Sequence, residues 1–179
     1  MPLEPAPLVA VFILGGVTLK LADISGEKGK NILQYVSATA AALSFGLLIS
    51  DSQTASSIML GIIIGVLVSR KVNRPNLAIG LVLTLVIAVI LGFKTPNIPL
   101  LATVSLAALT DEICHDRFTE EKSSLSKLFH FRPILKLTMV ILATASLVEV
   151  AYAVGFLSFD IAYDYTDWLI NRQGKQKQE

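Results

Sequence analysis

Residues 156–170 read FLSFDIAYDYTDWLI, an apolar and aromatic run that carries Asp160, Asp164 and Asp167. Wound as a helix, these three acids cover one side, and Phe156, Phe159, Tyr163, Trp168 and Ile170 supply apolar or interface-compatible surface around them. Whether this stretch crosses a bilayer or lies along its surface sets the number of crossings in the whole chain. Carboxylates in such a setting usually face a cavity, an ion or a partner rather than lipid.

The remaining sequence supplies the membrane context. Of 179 residues, 53% are hydrophobic and 16% charged, with a mean hydropathy of +0.65; that balance is extreme for a water-soluble domain. Apolar segments fall at 7–22, 32–50, 56–69, 77–93, 98–113 and 134–156, followed by the mixed acidic segment 157–170 and a polar tail at 171–179. A crossing takes about 20 residues. The reading is therefore an all-α, polytopic integral membrane helix bundle of six or seven transmembrane helices, filling residues 1–179 as one domain. The segment at 56–69 is short, and Arg70 and Lys71 extend it by snorkelling. The breaks are ISGEKGKN, SDSQTASS, RKVNRPN, FKTPNIP and the charged stretch from Cys114 to Pro133.

Lys and Arg orient the bundle. Lys28, Lys30, Arg70, Lys71, Arg74, Arg117, Lys122, Lys127 and Arg132 collect on one side, and Lys94 stands alone on the other. The positive-inside rule makes the first side cytoplasmic, which places a multi-pass protein in the cell membrane with its N-terminus outside. A seventh crossing returns Arg172, Lys175 and Lys177 to the same side. MPLEPA at the start lacks a basic n-region, so the first apolar segment is expected to remain as a helix. The single cysteine, Cys114, has no intrachain disulfide partner. The net charge of +1 lends no support to a nucleic-acid partner.

Four constellations carry candidate chemistry. Asp160 and Asp164, one turn apart, jointly suit a hard divalent cation such as Mg²⁺. This DxxxD spacing resembles the metal-pyrophosphate motifs of membrane prenyltransferases of the UbiA superfamily, although no asparagine-led companion motif accompanies it; the resemblance implies a divalent metal and a diphosphate substrate. TDEICHD places Asp111, Glu112, His115 and Asp116 at the end of the fifth segment. Asp111 pairs in register with His115, and Glu112 with Asp116, in an arrangement able to bind metal or to let His115 exchange a proton. Acids at a helix C-terminus oppose the dipole, which points to a purpose for them. In the first segment Lys20, Asp23 and Glu27 sit at helical spacing, and pairing lowers the cost of bringing these charges into a membrane. RKVNRPN adds Arg70, Lys71, Asn73 and Arg74 on the same side. GxxxG at Gly61 and Gly65 offers a close-packing face within one chain or in a homodimer.

Cations beside carboxylates suit a phosphate bridged by a metal. The leading expectation is a small, divalent-metal-dependent enzyme acting on a lipid-linked phosphate or diphosphate at the cytoplasmic interface. In it Asp111 and His115 are catalytic, Asp23, Asp111, Glu112, Asp160 and Asp164 bind the metal, and Lys20, Lys71 and Arg74 bind substrate. The alternative is a transporter or channel in which Glu149, Asp160 and Asp164 form a path for protons or metal cations.

Overall fold

A computed structural model describes residues 2–29, 31–119 and 132–176, and these are helical throughout, joined by short turns. Lys30, Lys122, Lys127 and Lys177, counted in the charge bias, lie outside the described residues. The helices are α1 (Pro5–Glu27), α2 (Asn31–Asp51), α3 (Gln53–Val68), α4 (Pro75–Leu91), α5 (Ile98–Thr119), α6 (Pro133–Thr144) and α7 (Val150–Gln176). α1 packs on α2 and α7, α3 on α5 and α2, α4 on α2, and α6 bridges α5 and α7. The core joins Phe12, Leu48, Ile49, Ile58, Val104, Met139 and Phe156 from these helices.

The all-α architecture stands, but six or seven crossings do not. Among the described residues only three helices are long and apolar enough to cross a membrane: Pro5–Glu27, Ile32–Asp51 and Ile98–Phe118. The physical reason is length. α3 has 16 residues, α4 17 and α6 12, against the roughly 20 that a crossing needs. α7 is long, at 27 residues, but its acids and its polar end exclude it. Large apolar side chains are nonetheless exposed along α4 (Val82, Val86, Val89, Ile90) and α5 (Leu106, Ile113), a surface suited to contact with lipid or another apolar partner.

The segment expected at 134–156 is two helices. α6 stops where Ser146 takes a left-handed conformation, φ 58°. There the Ser146 N–H donates to the Ala143 carbonyl at 3.0 Å and the Leu147 N–H to the Leu142 carbonyl at 2.9 Å, the crossed pair of bonds that closes a helix end. The apolar remainder, from Val150, then runs without interruption into the acidic stretch as α7. A serine in this conformation has a side-chain penalty that glycine lacks, so hydropathy alone gives no warning of the break.

Close helix approach depends on glycine at particular points. A Cβ on Gly16 would lie 2.3 Å from the Phe159 carbonyl oxygen, which fixes how nearly α1 meets α7. Gly61 and Gly65 seat α3 against Val104 and Ala108 of α5, so the GxxxG face is used within the chain.

One end of the bundle, called here the far end, holds Leu3, Asp51, Ser52 and Tyr152. Asp51 Oδ1 accepts the Leu3 N–H at 2.5 Å, and the Ser52 and Tyr152 hydroxyls lie 2.7 Å apart. The start of α3 is tied to the segment after α4 by the Ser56 hydroxyl, which donates to the Lys94 carbonyl at 2.6 Å. The opposite, near end carries the ends of α1, α3, α5 and α7 and the starts of α2, α4 and α6.

Replacing Gly16 with valine pushes a side chain onto immovable backbone. The expected outcome is a loss of about 1–3 kcal/mol, read as a lower thermal-unfolding midpoint in detergent; an unchanged midpoint would contradict this account of the α1–α7 contact.

Candidate functional site

Two helix starts organise the near end, and both begin Arg-Pro. Arg74 and Arg132 occupy the N-cap positions of α4 and α6, each followed by proline at the first helical position, where the missing N–H costs nothing and the ring's fixed φ suits the helix. A cation beside the positive end of a helix dipole is unfavourable in isolation. Each guanidinium therefore turns to acids on a neighbouring helix. Arg74 Nη1 lies 3.1 Å from Asp23 Oδ1, its Nη2 lies 3.0 Å from Glu27 Oε1, and Nη1 also donates to the Asp23 carbonyl at 3.0 Å. Arg132 lies 3.0 Å from Glu112.

Lys71 is placed by the turn that ends α3. Arg70 takes φ 59°, its N–H reaches the Leu67 carbonyl at 3.0 Å and the Lys71 N–H reaches the Val66 carbonyl at 3.1 Å, the same closure as at Ser146. The Lys71 ammonium then meets Asp116 and stands 3.8 Å from Glu112, so one cation lies between two acids of α5. Lys20, half-buried on α1, pairs with Asp167 of α7 at 3.0 Å, lies 3.9 Å from Asp23, and stands 4.7 Å over the Tyr163 ring.

Asp111 is 2% exposed and accepts from the backbone of another helix. Its Oδ1 takes the Ile134 N–H at 2.9 Å and its Oδ2 the Leu135 N–H at 2.6 Å, two of the N–H groups that a helix start leaves unpartnered. α5 continues to Thr119, roughly two turns past Asp111, so this acid does not stand at the helix C-terminus as expected from sequence; it caps the positive end of α6, where a carboxylate is favourable.

The residues singled out from sequence divide accordingly. Asp23, Glu27 and Arg74 come together, as do Lys71, Glu112 and Asp116, and Lys20 joins the first group to α7. Asp160 and Asp164 do not converge on one point: Asp160 pairs with Lys136 of α6 at 2.6 Å, whereas Asp164 is exposed. His115 is half-buried on α5. Glu149 is exposed just before α7, towards the far end. Among the described residues no group of three or more His, Cys, Asp or Glu is placed to hold a metal ion. Sequence reasoning missed Lys136; an ionisable residue inside the apolar run PILKLTMV was itself a signal. It also missed Tyr163 beneath Lys20, for which sequence offered no pairing.

Beside this charged layer lies an apolar cavity of about 120 Å³. Phe12 and Leu19 of α1, Ala38, Ala41, Ala42 and Phe45 of α2, Met59 to Val66 of α3, and Leu77 to Thr84 of α4 contribute to its walls, with Phe156 and Phe159 of α7. Phe159 stands 5.9 Å from Phe45 and 6.4 Å from Tyr163, centroid to centroid, so aromatic rings run from the cavity to the place where Lys20 sits. Three lining residues, Leu19, Val72 and Leu77, are the sequence neighbours of Lys20, Lys71 and Asn76. The cavity therefore ends one residue along the chain from the charged layer, whose side chains do not themselves line it. Its one polar side chain, Thr84, donates its hydroxyl to its own helix at the Gly80 carbonyl, 2.9 Å away.

No protein-family model, curated protein or solved structure matches this chain.

Because Asp111 caps α6, Asp111→Ala leaves the buried Leu135 N–H and the half-buried Ile134 N–H unpartnered and lowers stability by about 1.5–3 kcal/mol, the range for hydrogen bonds to a charged group. Asp111→Asn keeps one acceptor and should lose less. Thermal unfolding of the two variants in detergent checks this, and equal midpoints for Ala and wild type would refute it.

Proposed function

We propose that the protein binds a phosphate-bearing membrane lipid at the near end of the bundle and acts on its phosphate or diphosphate together with a divalent cation. The observation that carries this reading is that the apolar cavity is lined by Leu19 and Val72, the chain neighbours of Lys20 and Lys71, with Arg74 in the same turn as Val72. An apolar chain and an anionic group are thereby offered adjacent places, as a lipid phosphate requires. Arg74 holds two carboxylates in a forked geometry that fits a phosphate equally well, so a headgroup can replace one of them.

Glu112 and Asp116, drawn together by Lys71, are the acids best placed to share a cation. Mg²⁺ is commonly bound by only one or two carboxylates plus substrate phosphates, so a group of three protein acids is not a prerequisite. His115, between them in sequence on α5, is the candidate base. Asp111 contributes by holding the start of α6. The charge bias supports a cytoplasmic near end, with the N-terminus outside. The ion-path alternative draws less support, since the cavity is walled by apolar side chains apart from a hydroxyl already bonded to its helix.

Calorimetric titration of the protein in detergent with a polyprenyl phosphate, with and without Mg²⁺, tests the reading. Arg74→Ala and Lys71→Ala are each expected to weaken binding about tenfold, or ~1.4 kcal/mol, and chelation of the metal to abolish turnover of the phosphate. Binding that ignores both substitutions would end the proposal.

A further inference from the structure

α3 and α4 follow one another in the chain, run antiparallel and both line the cavity, yet they make almost no contact with each other. Each leans on α2 instead, so the cavity separates them. Ile62 and Ile63 on the α3 side, and Leu81 on the α4 side, are only half-buried, unlike Ala41, Ala42 and Met59 deeper in the lining, which are 3%, 1% and 3% exposed. The turn that joins the two helices carries Lys71, Val72 and Arg74. An opening towards the surrounding medium thus has apolar sides and a basic top, and α4 next to it exposes Val82, Val86, Val89 and Ile90.

We infer that the slot between α3 and α4 admits one apolar chain of a phosphorylated single-chain lipid sideways from the bilayer, its phosphate remaining at Lys71 and Arg74. This rests on the lipid-phosphate reading above and adds the class of substrate. Volume supplies the restriction. An apolar cavity of about 150 Å³ takes up benzene, so the space here accommodates on the order of five carbons of one chain. Two acyl chains side by side do not fit. Charge supplies the register, because the chain lies between apolar helices while its anionic end is drawn to the turn that joins them, where Lys71 and Arg74 exchange an acid of α5 or α1 for the phosphate.

The test compares dodecyl phosphate, a two-chain phosphatidic acid and inorganic phosphate as ligands of the purified full chain in detergent, by native mass spectrometry and calorimetry. Wild type should bind dodecyl phosphate at least about tenfold more tightly than phosphatidic acid. Leu81→Trp and Ile63→Trp, which fill the slot, should lose about tenfold in dodecyl phosphate affinity and leave inorganic phosphate binding unchanged, while Leu81→Met retains wild-type affinity. Equal binding of the one-chain and two-chain lipids, or tryptophan variants that bind dodecyl phosphate as wild type does, would overturn the inference while leaving the lipid-phosphate reading intact. Failure of every phosphate ligand to bind would remove that reading as well. A second measurement avoids substitution altogether: an alkyl phosphate with a photoreactive diazirine at its tail should label α3 and α4 residues of the cavity, and labelling confined to other helices would equally overturn the proposal.

Discussion

Arg74 reaches two carboxylates of α1 at once, and the position of α4 depends on that grip. A helix start carries partial positive charge, so an arginine at its cap is misplaced unless acids draw it away. Asp23 and Glu27 do so, one turn apart on α1. Asn76, 1% exposed, adds a bond from its Nδ2 to the Ala22 carbonyl at 2.8 Å. Without these contacts α4 would be held at this end only by α2, and the cavity would lack a defined wall beneath the basic turn. Arg132 and Glu112 repeat the device at the start of α6, where Asp111 adds the cap.

The acids that attract attention in the sequence are chiefly counterions in the folded chain. Asp23, Glu27, Glu112, Asp116, Asp160 and Asp167 all face Lys or Arg. This follows from solvation, since a charge brought into an apolar bundle needs a partner to replace water. An anion arriving at the near end therefore has to compete with a carboxylate already in place. Discrimination then comes from geometry and from how many donors the newcomer engages, since net charge alone gives it little advantage.

Sequence made the helical class and most helix positions legible, because long apolar runs separated by Gly, Pro and charged breaks leave few alternatives. It overcounted the crossings for two reasons. The runs of α3 and α4, at 16 and 17 residues, were visibly short and were still counted as crossings, the first by allowing Arg70 and Lys71 to snorkel, and the break at Ser146 comes from a backbone conformation that hydropathy does not encode. The charged residues of the near end were legible as a group, since Arg70, Lys71 and Arg74 were expected on the same side as Asp23, Glu27, Asp111, His115 and Asp167. Their pairings were not. Asp160 and Lys136 are brought together only by the α6–α7 turn, and the carboxylate of Asp111 finds its partners across 23 residues of sequence, a separation at which no helical periodicity operates.

The tie between Ser56 and the Lys94 carbonyl gives the gap between α3 and α4 a mechanical character. These helices are joined by the turn at one end and pinned by that bond at the other, while between those points they make almost no contact with each other and are packed on α2 instead. A slit closed at both ends resembles a buttonhole, open at its centre and shut at its corners. A slender flexible chain can slip through edge-on, whereas a bulky headgroup meets the unyielding corner at the turn and stays outside.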